Sequence, residues 1–215
     1  MRLAVLISGA GSNMVAIAQG CAAGQIPAQI AVVLSDRPDA GGIGRARELG
    51  LPVAVVDRNQ FRRDGRLDRA AFEAALEEPL RQHGAEALVL AGFMTVLSPA
   101  FVERHAGRIL NIHPSLLPGY PGLDTHARVL AAGERQHGAT VHFVTAELDG
   151  GPLILQAAVP ILAGDDVTSL SARVHAQEHI IYPMTISWLA SRRLLWNGGS
   201  PTLDGLPLRA PVQHG

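Results

Sequence analysis

Apolar residues along the chain fall into short unbroken runs, separated by stretches in which they recur at helical intervals. Leu3–Ile7 is a continuous hydrophobic run, the pattern of a strand buried on both faces, and Ile30–Leu34 and Ala87–Ala91 read as strands too. Val53–Val56, Ile109–Ile112, Thr140–Val144 and Ile154–Val159 read as further strands. Between them, Asn13–Ala23, Ile43–Leu49 and Leu67–His83 have the spacing of helices, and Val167–Ala190 carries a longer pattern of the same kind. Pro79 is a candidate kink, and the polar segment 58–65 reads as a loop. Strands alternating with helices predict an α/β fold: a single Rossmann-like domain with a mostly parallel central sheet and helices on both faces. That domain is expected over residues 1–196. Asn197-Gly198-Gly199 is a turn signal, so residues 197–215 are expected to form a C-terminal hairpin before the tail trails off.

Ligands of such folds bind beyond the carboxyl ends of strands, and the unusual residues here follow strands. Gly9-Ala10-Gly11-Ser12-Asn13 joins the first strand to a helix. Glycines let a ligand approach the backbone, and the free N–H groups of a helix start attract anions. The loop alone admits three readings. It can hold a mononucleotide or sugar phosphate. It can be a dinucleotide fingerprint with Asp36 on a ribose, although Met14 stands where the third glycine belongs. Or it is a tight turn without a ligand, capped by Ser12 or Asn13.

The segment Asn111-Ile112-His113-Pro114-Ser115-Leu116-Leu117-Pro118 says more. Residues 111 and 113 share one face of a strand end, so an amide and an imidazole converge. The amide can donate to a developing oxyanion. The imidazole can move protons near neutral pH. Pro114 and Pro118 stiffen the loop that follows. Asp149, in Leu148-Asp149-Gly150-Gly151-Pro152, is either a turn residue or the carboxylate that orients His113 and favours its charged form. His137 and His142 flank an expected strand. His175 and His179 are one helical turn apart but lack a metalloprotease pattern, so no metal is expected. Glu178, beside His179, reads first as part of a solvated face.

Composition narrows the chemistry. With 18 basic and 19 acidic residues in 215, formal charge is −1, and no nucleic-acid partner is expected. Every basic residue is arginine. That excludes a lysine Schiff base and a lysine-bearing phosphate loop. Cys21 is the single cysteine, which excludes disulfide frameworks and cysteine-rich zinc sites. No apolar run approaches the ~18 residues of a membrane span. The run after Met1-Arg2 is broken too early for a secretory signal, so no membrane association and a cytoplasmic location are the expectation.

Six segments in order resemble the folate-dependent phosphoribosylglycinamide formyltransferases. They are Ile7-Ser8-Gly9-Ala10-Gly11-Ser12-Asn13, Leu90-Ala91-Gly92-Phe93-Met94, Leu97-Ser98-Pro99, Asn111 to Pro118, Val141-His142-Phe143-Val144 and Leu148 to Pro152. The resemblance covers nearly the whole chain. It implies formyl transfer from 10-formyltetrahydrofolate, as co-substrate, to glycinamide ribonucleotide, in a monomer or homodimer. It implies a catalytic trio of Asn111, His113 and Asp149. Gly11, Ser12 and Asn13 would hold the ribonucleotide phosphate, and Glu178 its ribose. Arg69, Met94, Thr95, Val96, Leu97 and Asn111 would meet the folate. The chain departs from the family pattern in three places. Thr95 stands where many bacterial members have arginine, and Gly119 and Asp124 replace frequent lysine and histidine. The loop before Arg69 is also longer. A formyltetrahydrofolate hydrolase, a sugar-amine formyltransferase and, more distantly, a non-catalytic nucleotide-binding module are the rival readings.

Overall fold

A computed structural model describes residues 1–215, and the chain divides into two units, Met1–Leu110 and Asn111–Gly215. In chain order the first unit holds β1 (Arg2–Ile7), α1 (Ser12–Ala22), β2 (Gln29–Ser35), α2 (Gly41–Glu48), β3 (Val53–Val55), β4 (Arg62–Arg63), β5 (Arg66–Leu67), α3 (Arg69–Gln82), β6 (Ala87–Leu90) and α4 (Pro99–Arg104). β7 (Ile109–His113) runs across the boundary. The second unit adds α5 (Thr125–Ala131), β8 (Gln136–Phe143), β9 (Leu153–Pro160), α6 (Val167–Ala190), β10 (Leu194–Asn197), β11 (Ser200–Leu203), β12 (Leu206–Pro207) and β13 (Val212–His214). This is the α/β class that the alternation of strand and helix patterns predicts.

In the first unit the continuous apolar runs become the sheet core. β1 lies between β2 and β6 and is parallel to both, with Val5 opposite Val33 and Val89. Leu3 to Ile7 have no exposed surface, as a strand covered on both faces requires. The entry to α1 needs glycine. Gly11 has φ +74, and a Cβ there would sit 2.9 Å from the Gly42 Cα. The Gly42 N–H donates to the Gly9 carbonyl at 2.9 Å, so the starts of α1 and α2 meet backbone to backbone.

Residues 58–65 are not a plain loop. A 3₁₀ turn over Arg58–Phe61 leads into the β4–β5 hairpin. Asp64 and Gly65 both have positive φ, the geometry that an Asp-Gly turn supplies between paired strands. α3 begins two residues later than the periodicity suggests, because Asp68 caps it by accepting the Ala71 N–H at 3.1 Å. The helix continues past Pro79 to Gln82.

In the second unit β8 and β9 form a long antiparallel pair. β8 begins at Gln136, four residues before the expected start at Thr140. Glycine at 138 is required, since a Cβ would lie 2.0 Å from the Ala157 carbonyl oxygen. Gly198 and Gly199 make the expected turn between β10 and β11. The tail beyond them does not trail off: β13 returns and pairs in parallel with β9. The short helices α4 and α5 had too few residues to show a periodic pattern.

Candidate active site

β7 delivers Asn111 and His113 to one face, as residues two apart on a strand must be. They do not bond each other. The Asn111 Nδ2 lies 3.1 Å from Nε2 of His142, on β8. The other ring nitrogen of His142, Nδ1, lies 2.9 Å from the Phe143 carbonyl. A carbonyl only accepts, so Nδ1 carries the proton. Burial pushes the His142 pKa down, which keeps the ring neutral. Its Nε2 lone pair therefore accepts from the Asn111 amide, which fixes the amide's orientation and leaves its second hydrogen to donate elsewhere.

His113 is buried, and its two nitrogens have different surroundings. Nε2 donates to the Tyr120 carbonyl at 3.0 Å. Nδ1 faces the Asp149 carboxylate, 3.5 Å from Oδ2. Asp149 is held in turn. It sits at φ +51 in the turn between β8 and β9, and Oδ2 accepts the Gly122 N–H at 2.8 Å. Its other oxygen is 3.9 Å from His142 Nε2. Asp149 thus lies beside His113, and His142 lies beside both Asn111 and Asp149. Its signal was present in the Val141-His142-Phe143-Val144 segment, but strand pairing alone put it beside Asn111.

Polar clamps, besides the prolines, hold the loop after β7. Thr140 donates its hydroxyl to the Ser115 carbonyl at 2.6 Å and accepts the Leu117 N–H at 3.0 Å. Gln156 donates to the Leu117 carbonyl at 2.7 Å. Gly119 is used by its backbone: its carbonyl accepts from the Ser115 hydroxyl and its N–H donates to Leu116. Asp124 precedes α5 at φ +56 and makes no side-chain cap. Glu178 is buried rather than solvated, 3.9 Å from the His175 ring, which corrects the solvated-face reading.

In the first unit the glycine loop and the loop after β6 lie side by side. The Ser8 N–H donates to the Gly92 carbonyl at 3.0 Å, and the Ser8 hydroxyl accepts the Met94 N–H at 2.8 Å. Ser12 and Asn13 do not cap α1; they form its first turn, whose start has neither a side-chain cap nor an acidic residue. The backbone N–H groups there face no competing anion of that turn.

Burial alternates along residues 93–97. Met94 and Val96 are exposed, whereas Thr95 and Leu97 turn inward. The Thr95 hydroxyl donates to Asp36 Oδ2 at 2.6 Å, and Arg58 Nη1 approaches the same carboxylate at 3.5 Å. Asp36 has no exposed surface and its Oδ2 is engaged by Thr95 and Arg58, which takes it from a ribose, and the dinucleotide reading falls. Arg69 is exposed at the first turn of α3. No three histidine, cysteine, aspartate or glutamate side chains gather as a metal site. No helix is long and apolar enough to cross a membrane.

Known proteins are similar to this chain in sequence and in fold. The formyl transferase family model matches residues 1–186. The phosphoribosylglycinamide formyltransferase of Escherichia coli (strain K12) is 48% identical over 205 residues, 95% of this chain and 94% of that protein. The trifunctional purine biosynthetic protein adenosine-3 of Bos taurus is 42% identical over 88% of this chain, which spans 18% of that longer protein. The structure of the phosphoribosylglycinamide formyltransferase of Coxiella burnetii aligns with a TM-score of 0.92 at 43% identity, covering 100% of this chain and 99% of that one.

Proposed function

This chain belongs to the formyl transferase family, and on that premise we propose that it transfers the formyl group of 10-formyltetrahydrofolate to the amine of 5-phosphoribosylglycinamide in purine biosynthesis. The observation that carries the chemistry is the linked set Asn111–His142 and His113–Asp149, an oriented amide donor beside an imidazole–carboxylate pair.

The acceptor supplies the nucleophile. An α-amino group has a pKa of ~7.7–8.0, so part of it is neutral at pH 7 without help. Its nitrogen attacks the formyl carbon, and the carbonyl electrons move onto oxygen. The free Asn111 amide hydrogen donates to that oxyanion, and charged His113 stabilises it through space. Asp149 orients the His113 ring through Nδ1. Through a water molecule it relays the proton lost by the attacking nitrogen to the leaving folate nitrogen. The carbon–nitrogen bond to folate then breaks as the carbonyl re-forms, giving the N-formyl product and tetrahydrofolate.

Gly11, Ser12 and Asn13 bind the 5′-phosphate through the start of α1, and Glu178 binds the ribose. The folate meets Arg69, Asn111 and the 94–97 segment. Met94 and Val96 offer side chains there, while Thr95 and Leu97, turned inward, offer backbone.

A spectrophotometric assay with both substrates tests the proposal. Turnover that needs the ribonucleotide and disappears in His113→Ala is the expected result. Deformylation without the ribonucleotide would instead assign a hydrolase. Turnover only with an amino-sugar nucleotide would assign a different acceptor.

A further inference from the structure

The last residues before α5 carry an uncommon backbone. Tyr120 and Asp124 both have φ +56, and Gly122 between them has φ +80. Side-chain-bearing residues seldom adopt that region, and they stay there only where the surrounding structure holds them. This loop also supplies two backbone groups to the catalytic pair. The Tyr120 carbonyl accepts from Nε2 of His113 at 3.0 Å, and the Gly122 N–H donates to Oδ2 of Asp149 at 2.8 Å. A shift of the loop would therefore disturb both partners at once.

The carbonyls of the alternate residues go to one side chain of α5. Arg128 Nη1 donates to the Pro121 carbonyl at 2.6 Å and to the Leu123 carbonyl at 3.2 Å. Its guanidinium carbon lies 5.4 Å from the centre of the Tyr120 ring, within cation–π range. The Tyr120 hydroxyl is tied as well, donating to Glu134 at 2.8 Å. The helix that bears Arg128 is itself fixed. Val129 is buried, and the buried Thr125 donates its hydroxyl to the carbonyl of Pro114, next to His113, at 2.7 Å. Arg128 is exposed, yet its hydrogen bonds go to the loop and not to a carboxylate.

We propose that Arg128 is a positioning residue for the formyl transfer: it clamps residues 120–123 so that the Tyr120 carbonyl and the Gly122 N–H hold the His113–Asp149 pair in its working geometry. The inference rests on the proposed function, which makes that pair catalytic. A carbonyl only accepts, so Tyr120 fixes the proton of His113 on Nε2 and thereby the angle at which Nδ1 meets Asp149. Gly122 keeps the facing carboxylate oxygen in place. Both are main-chain groups, and their aim is only as good as the hold on the loop. A misplacement of about 1 Å at reacting groups can cost about 10²-fold in rate.

The test is Arg128→Met, which keeps an unbranched stem near Tyr120 and removes the charge and both hydrogen bonds. Steady-state kinetics should show kcat lower by about ten- to a hundredfold, with both KM values within about twofold of the wild type. Heteronuclear NMR of the free enzyme gives a readout that needs no turnover. The His113 Nε2–H signal, assigned by its absence from His113→Gln, should exchange with water at least about tenfold faster in the variant. Arg128→Leu serves as a second variant, with the same outcomes expected. Unchanged kcat, or unchanged exchange at His113, overturns the proposal. So does a lowered Tm with kcat kept, which would make Arg128 a contact of the fold alone. A wild type that does not turn over the two substrates, alongside faster His113 exchange in the variant, would sink the proposed reaction and leave the clamp on His113 standing.

Discussion

The Asn111 amide nitrogen lies 3.1 Å from Nε2 of His142, and the His142 Nδ1 proton is committed to the Phe143 carbonyl. His142 can therefore only accept from Asn111. The buried, neutral imidazole works as a fixed acceptor that aims an amide, and the amide donates its other hydrogen to the reacting oxygen.

Replacing the amide should act on the chemical step. Asn111→Ala is expected to lower kcat by about 10²–10³, the loss seen when one oxyanion donor is removed. The ribonucleotide KM should hardly move. Steady-state kinetics with both substrates varied would show this, and equal losses in kcat and ribonucleotide binding would reduce Asn111 to a binding residue.

His142 should share that loss through Asn111. His142→Phe keeps the ring's bulk and removes its acceptor. We expect kcat to fall by about tenfold or more, with little further fall when Asn111→Ala is added, because coupled residues are not additive. A double variant whose loss is the product of the single losses would mean that the two side chains act independently.

Gly11→Ala should damage both fold and phosphate binding. An alanine at φ +74 costs about 1–2 kcal/mol, and its Cβ would press on the Gly42 Cα. The expected results are a lower Tm and a raised ribonucleotide KM, with kcat largely kept. A variant with unchanged Tm would show that the backbone there relaxes freely.

The pair of His126 and His137 predicts an acid sensitivity. Their ring nitrogens are 2.9 Å apart, and His137 is buried. Burial chiefly, and then the charges of His126 and His113, push the His137 pKa down to about 4. The unfolded value is ~6.5, so the unfolded chain takes up this proton first. Stability is complete above ~6.5 and is lost as pH falls towards about 4. Urea unfolding at pH 7, 5 and 4 should show a steeper loss in the wild type than in His137→Gln. Parallel slopes would remove His137 as the cause.

Much of this was legible in the sequence because it depends on near neighbours. Runs such as Leu3–Ile7 and Ala87–Ala91 read as strands from their own residues. Spacing alone set Asn111 and His113 on one face, and Asp149 was a candidate partner because a carboxylate near His113 orients the ring, although its place in a turn fitted a plain turn residue equally well. The Asp64-Gly65 hairpin was also within reach, since that dipeptide is itself a turn signal; the surrounding polarity made it read as loop. The tail's return as β13 was not, because Val212–His214 is too short to show alternation.

What only the tertiary structure decided are the pairings between distant residues. Asp36 looked available for a ribose, yet the fold seals it against Thr95 and Arg58. Glu178 looked solvated, yet it is buried. His142 became a partner of Asn111 only when β8 was laid beside β7. The physical reason is range. Strand and helix patterns follow from the sterics and burial of adjacent residues, which a linear sequence records. Which side chain satisfies a buried polar group 31 or 59 positions away depends on strand order and register, and those exist only once the chain is folded.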